Sequence, residues 1–177
     1  MARQPVRRLT VPRNLVNSPM TDRIAFIGLG ANLGDARMTL RAALQALSTW
    51  PEISECTASP FYRTAPVDAN GPDFINAVAR LRTTLTPEAL LATLQSIENS
   101  HGRTRSTRNA PRTLDLDLLW FEGETRRTEA LILPHPRMHL RAFVLRPLLD
   151  LAPAFSLQQG PVSKLLLQCE DQPIDRL

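Results

Sequence analysis

The sequence predicts an α+β fold: an antiparallel sheet with helices packed on it. Two observations lead there. Short apolar or alternating runs of strand character are separated by two longer stretches of helical period. Two extended segments also follow one another between those helical stretches, so the order reads β-α-β-β-α-β.

Arg23 to Leu29 is a short apolar run ending in glycines, which suits a buried strand. Gly28, Gly30 and Gly34 are expected to punctuate the loop that follows, and Asp35 is placed to cap a helix. Met38, Leu40, Ala43, Leu44 and Leu47 recur at helical spacing, and Trp50-Pro51 ends that helix. Residues 52–63 read as extended, and Pro66 to Pro72 as a loop with an Asn70-Gly71 turn signal. Phe74 to Leu85 alternates apolar and polar side chains, as a strand does. Thr86-Pro87-Glu88 opens a second helix with proline in its first turn, and Leu90, Leu91, Leu94 and Ile97 form its inner face. Arg103 to Pro111 is an irregular basic loop, Thr113 to Phe121 a strand, and Ala142 to Leu151 a short helix. This order is the ferredoxin-like arrangement, with two helices on one face of the sheet and the other face left for a ligand or for extra C-terminal elements. Residues 1–21 are polar, contain three prolines and are expected to form a disordered leader, with Met20 as an alternative start. Residues 22–160 form the expected domain, and 161–177 a C-terminal tail with no assignment.

Composition narrows the function. The two cysteines, Cys56 and Cys169, are far apart and have no metal-ligand spacing. No apolar run reaches the roughly 18 residues of a membrane span. A cytoplasmic enzyme with no membrane partner is expected. The net charge of +4 suggests nucleic acid, but residues 1–19 hold four arginines and no acid; without them 21 − 4 = 17 basic residues face 17 acidic ones. A neutral body argues against a general nucleic-acid face.

Two constellations carry chemistry. In the strand 113–119, Leu114, Leu116 and Leu118 point into a core, and Asp115 and Asp117 lie side by side on the other face. Two like charges so placed repel, and a cation relieves them; magnesium takes one or two carboxylates together with substrate phosphates. Directly upstream, Arg103, Arg105, Arg108 and Arg112 fall within ten residues, and guanidinium forks match phosphate oxygens. Each motif alone is as compatible with a solvated surface. Their adjacency is what a metal-bound nucleoside triphosphate requires. Gly28 to Gly34 has Leu33 at the third position of the dinucleotide fingerprint, so that reading fails. An RNA-binding module on the same fold would present aromatic side chains, where this strand presents two acids.

G-L-G-A-N-L-G (28–34), F-Y-R-T-A-P (61–66), D-F-I-N-A (73–77), Q-S-I-E (95–98), G-R-T-R (102–105), R-N-A-P-R-T-L-D-L-D (108–117), L-P-H-P-R (133–137) and R-A-F (141–143) together resemble the 6-hydroxymethyl-7,8-dihydropterin pyrophosphokinases of folate biosynthesis. The resemblance covers about residues 22–152. It implies transfer of pyrophosphate from Mg-ATP to the pterin hydroxymethyl group, with release of AMP. It implies two magnesium ions on Asp115 and Asp117, and catalytic roles for Arg103 and Arg112 with those aspartates. ATP would also meet Gln95, Glu98, Arg105, Arg108, His135 and Arg141. The pterin would lie between Phe74 and Phe143, with Asn76, Thr64 and Val67 reading its edge. A monomer is expected. Asn109 stands where many members of the family carry tryptophan, so closure of that loop is where a departure is expected.

Overall fold

In the computed structural model the described residues are 21–66, 71–101 and 113–177. The centre of the sheet is β1 (Arg23–Ala31), hydrogen-bonded to β4 (Phe74–Thr83) on one side and β5 (Asp115–Phe121) on the other. The outer edge of β4 is shared by two short strands, β2 (Ile53–Ala58) and β3 (Tyr62–Thr64). Every pairing is antiparallel. With β2 and β3 counted as one broken strand, the order across the sheet is that of the expected ferredoxin-like core.

The break between β2 and β3 has a local cause. Pro60 cannot donate to a ladder. Just before it, Ser59 donates its amide to the Val78 carbonyl (2.9 Å), and its Oγ accepts from the Val78 amide (3.0 Å). A side chain thus keeps β4 satisfied across the gap, and the single extended stretch expected over 52–63 becomes two strands.

Helices α1 (Ala36–Ser48) and α2 (Pro87–Ser100) cover one face of the sheet. Both begin at side-chain caps: Asp35 Oδ1, at the predicted position, accepts from Met38 N (3.0 Å), and Thr86 Oγ1 from Ala89 N (3.2 Å). Leu40, Ala43 and Leu47 of α1 and Leu90, Leu94 and Ile97 of α2 pack on Ala25, Ile27, Leu29, Ala77, Ala79, Leu81 and Leu116. Met38, expected on the inner stripe, is 57% exposed; it sits in the first turn, outside the overlap of helix and sheet.

The opposite face is only partly covered. Leu119 and Val78 pack there with Leu145 and Leu148 of α3 (Ala142–Leu151) and with Val162 and Leu165 of α4 (Val162–Leu167). A register shift in β5 steps from the pair Ile27–Leu118 to Phe26–Trp120. Leu119 and Trp120 therefore both join this second core, while Leu118 and Phe121 stay in the first.

Two sequence expectations change. Gly28 and Gly30 lie inside β1, paired on both sides, and only residues 32–35 connect it to α1. The ladder extends past the glycines because β4 and β5 flank them on both sides. Residues 161–177 continue the packed body: β10 (Ile174–Arg176) adds to β3 as a further antiparallel strand. Between β5 and β10 run two short strand pairs, β6 (Arg126–Arg127) with β7 (Ile132–Leu133) and β8 (Ser156–Leu157) with β9 (Gly160–Pro161). No helix among the described residues is long and apolar enough to cross a membrane.

Candidate active site

Strand alternation gathers the candidate residues. Opposite Gly30 lie Asp115 on β5 and Asn76 on β4; opposite Gly28 lie Asp117 and Val78. Tyr62 and Thr64 continue the row on β3, paired with Asn76 and Phe74. One sheet face therefore carries Asp115, Asp117, Asn76, Phe74 and Thr64, at the end left open by α3 and α4. Leu116, between the acids, and Leu118, after them, are buried on the other side.

At Gly30 the missing side chain leaves a shallow hollow between Asp115 and Asn76, while Leu119 fills the space over Gly28. A Cβ on Gly30 would stand 3.2 Å from Asn76 Oδ1 and 4.0 Å from Phe74 Cδ1. A side chain at position 30 would crowd the Asn76 amide, so glycine keeps the backbone uncovered there. Asn76 is 5% exposed, and its Nδ2 donates to Thr64 Oγ1 (2.8 Å). That bond orients the amide, with its Oδ1 toward the hollow.

The connection after β7 brings a second group over the acids. His135 donates its amide to the Leu119 carbonyl (2.7 Å), which ties it to β5. Its Nδ1 accepts from Arg137 N (3.2 Å), so a neutral ring carries its proton on Nε2. Burial, and then the charges of Arg141 and Arg137, push the imidazole down to about 4. Arg141 precedes α3. Burial and Arg137 lower its pKa, while Asp117 and Asp115 act in the opposite direction. The Arg141 Cζ lies 5.4 Å from the centroid of the Phe143 ring. Arg137 belongs to this cationic group, and the sequence reading gave it no role; its place in L-P-H-P-R was the available signal.

Glu98 is 2% exposed, and its Oε1 accepts from the Leu116 amide (2.8 Å), midway between the two aspartates. Gln95 is exposed on α2. Phe143, Ala142, Thr64 and Pro66 line a cavity of about 250 Å³ whose remaining wall is Asp171, Gln172 and Pro173 from the C-terminal stretch. Val67, Arg103, Arg105, Arg108 and Arg112, like Asn109, lie outside the described residues.

Two carboxylates on one face suit a hard divalent cation that completes its shell with phosphate oxygens and water. Among the described residues no three acids, histidines or cysteines converge as a self-sufficient metal cage. The donor set fits an ion brought in with a polyphosphate.

The sequence model of the 7,8-dihydro-6-hydroxymethylpterin-pyrophosphokinase family matches residues 26–153. The chain is 44% identical over 154 residues to the 2-amino-4-hydroxy-6-hydroxymethyldihydropteridine pyrophosphokinase of Pseudomonas aeruginosa, covering 86% of this chain and 95% of that protein. It is 40% identical over 155 residues to the enzyme of the same name from Haemophilus influenzae, covering 86% and 97%. Among solved structures, an HPPK-DHPS in complex with substrates superposes with a TM-score of 0.66 at 13% identity, over 84% of this chain and 43% of that one. Wild-type HPPK-DHPS of Plasmodium falciparum gives 0.66 at 14% identity, over 83% and 44%. This chain thus spans less than half of those two structures, which share its fold.

Proposed function

The chain belongs to the 7,8-dihydro-6-hydroxymethylpterin-pyrophosphokinase family, and from that premise we propose how its residues divide the work. As a member it is an ATP-dependent diphosphokinase of folate biosynthesis, moving pyrophosphate from ATP onto the hydroxymethyl group of 6-hydroxymethyl-7,8-dihydropterin. The observation that carries the assignment of roles is the glycine hollow, with acids on one side and a buried, oriented amide on the other.

The pterin lies over Gly30 between Phe74 and Phe143, and Asn76 with the backbone around Thr64 and Val67 reads its hydrogen-bonding edge. A ring stacked between aromatic faces gains contact area at little entropic cost. The triphosphate lies toward Asp115 and Asp117. Arg141 and His135 Nε2 donate to phosphate oxygens from above, and Arg103, Arg105, Arg108 and Arg112 surround the rest. Gln95 and Glu98 stand on the nucleotide side. Asp115 and Asp117 would hold two magnesium ions, which when bound neutralise charge on the triphosphate.

The hydroxymethyl oxygen attacks the β-phosphorus, the bond from β-phosphorus to the α–β bridging oxygen breaks, AMP departs with that oxygen and the bonding pair, and the hydroxyl proton passes to solvent. Such transfer depends on positioning and electrostatics more than on covalent help, and the strands that carry Asp115, Asp117 and Asn76 supply the frame for both. Every proposed ligand group comes from one chain, so the enzyme works as a monomer. A cytoplasmic location belongs to the same proposal.

The test is release of AMP from ATP by the purified protein, dependent on both magnesium and 6-hydroxymethyl-7,8-dihydropterin. Folded protein that releases no AMP under those conditions refutes the reading. A second expectation concerns His135. Its folded pKa lies below the unfolded value, so the ring stays neutral in the native state, and its contribution to stability is lost as pH falls from about 6.5 toward 4. In the free enzyme its imidazole NMR signals should therefore titrate below pH ~5.5; a midpoint near the ordinary histidine value of about 6.5 would contradict this environment.

A further inference from the structure

The first turn of α3 carries Arg141 and Phe143, yet it has no cap from its own segment: Arg141 occupies the N-cap position, and no side-chain cap bond forms there. The cap comes from 30 residues downstream. Gln172 Oε1 accepts from the Ala142 amide (2.9 Å), and its Nε2 donates to the Leu140 carbonyl (2.9 Å). One side chain thus grips the backbone on both sides of Arg141. The backbone there turns from the 3-10 segment Met138–Leu140 into α3, with Arg141 extended at φ −125°, ψ 109°.

Gln172 is itself held. The Gln172 amide donates to the Cys169 carbonyl (3.0 Å) behind α4, and β10 follows two residues on, joined to β3 beside Thr64. Pro173 stiffens the link between the two anchors. The side chain therefore reaches α3 from a fixed base, as a positioning group must.

We propose that Gln172 is a positioning residue for the pyrophosphoryl-transfer site: by clamping the backbone on either side of Arg141 it sets the aim of the Arg141 guanidinium at the phosphates and of the Phe143 ring at the pterin. The inference rests on the roles given to Arg141 and Phe143 above. It makes the C-terminal stretch part of the active site, although none of its residues touches a reacting atom.

The test is a double-mutant cycle on the full-length protein. Binding of α,β-methylene-ATP with magnesium is measured by calorimetry for wild type, Gln172→Ala, Arg141→Ala and the double variant. Gln172→Ala should weaken binding up to about fivefold, the scale of losing one helix-cap bond, and should do so much less in the Arg141→Ala background, because partners acting through one another are not additive. Gln172→Glu keeps the acceptor for Ala142 N–H and the packing of the strap, and should retain more binding than alanine. A Gln172→Ala loss that is undiminished when Arg141 is absent would overturn the proposal. So would wild-type affinity in both Gln172 variants while Arg141→Ala binds poorly. Unchanged affinity in Arg141→Ala itself would instead refute the role of Arg141, which separates the two failures.

Discussion

Asp117→Ala should lower kcat by at least about 10³-fold, corresponding to roughly 4 kcal/mol of lost transition-state stabilisation, while the pterin still binds. Asp117 and Asp115 are the two acids that share a sheet face with the proposed pterin site, and strand pairing holds both opposite glycines. Without Asp117, a cation arriving with the triphosphate keeps one protein carboxylate, and the Arg141 guanidinium loses one of the two negative charges that act on it. The negative charge of the departing phosphate is then poorly neutralised at the moment it develops. Asp117→Asn keeps the size and removes the charge, so it should fail nearly as badly. The fold should survive either change, because Asp117 belongs to neither apolar core. Pterin affinity, read by fluorescence titration without nucleotide, should stay within about twofold, because Asp117 is assigned to the metal and triphosphate and not to the pterin. A variant turning over at a tenth of the wild-type rate would remove Asp117 from the metal role.

The sequence and the fold agree best where side-chain period is decisive. T-L-D-L-D-L-L has one reading as a strand, and Leu114, Leu116 and Leu118 separate from Asp115 and Asp117 to opposite faces as alternation requires, with Leu119 on the face of the acids in the second core. The cap at Asp35 was legible because it supplies a side-chain acceptor just ahead of an apolar-periodic run, and the start of the second helix at Thr86-Pro87 because proline suits a first turn. The glycines were misread because glycine signals turns and close approach equally. Gly28 and Gly30 both lie inside a strand with neighbours on both sides, and Gly30 serves approach, with the Asn76 amide close over it. The C-terminal stretch was illegible because its order depends on distant partners: β10 is three residues long and exists as a strand only against β3. Gln172 likewise has no local motif, since both its partners lie on a segment 30 or more residues away.

Glu98 shows how a residue can be necessary for the site from behind it. The resemblance puts Glu98 on the nucleotide side, while the structure buries its carboxylate against β5, the last strand on that side of the sheet. Leu116 N–H donates to Glu98 Oε1, and Leu116 sits between the two proposed metal ligands. Glu98→Ala removes the acceptor and leaves a buried amide without it. The expected cost is about 2–3 kcal/mol, the range for a hydrogen bond to a charged group, or a fall in melting temperature of roughly 4–12 °C for a chain of this size. The same loss frees β5 to shift where Asp115 and Asp117 must hold their spacing, so kcat should fall with stability. Glu98→Gln retains a carbonyl oxygen in the same place. If the carboxylate acts through the backbone of β5, glutamine should preserve most of both stability and rate. If its charge acts on the nucleotide or its metal, Glu98→Gln should melt near wild type and yet lose as much kcat as Glu98→Ala. Thermal melts and AMP release measured on the two variants side by side decide between these outcomes.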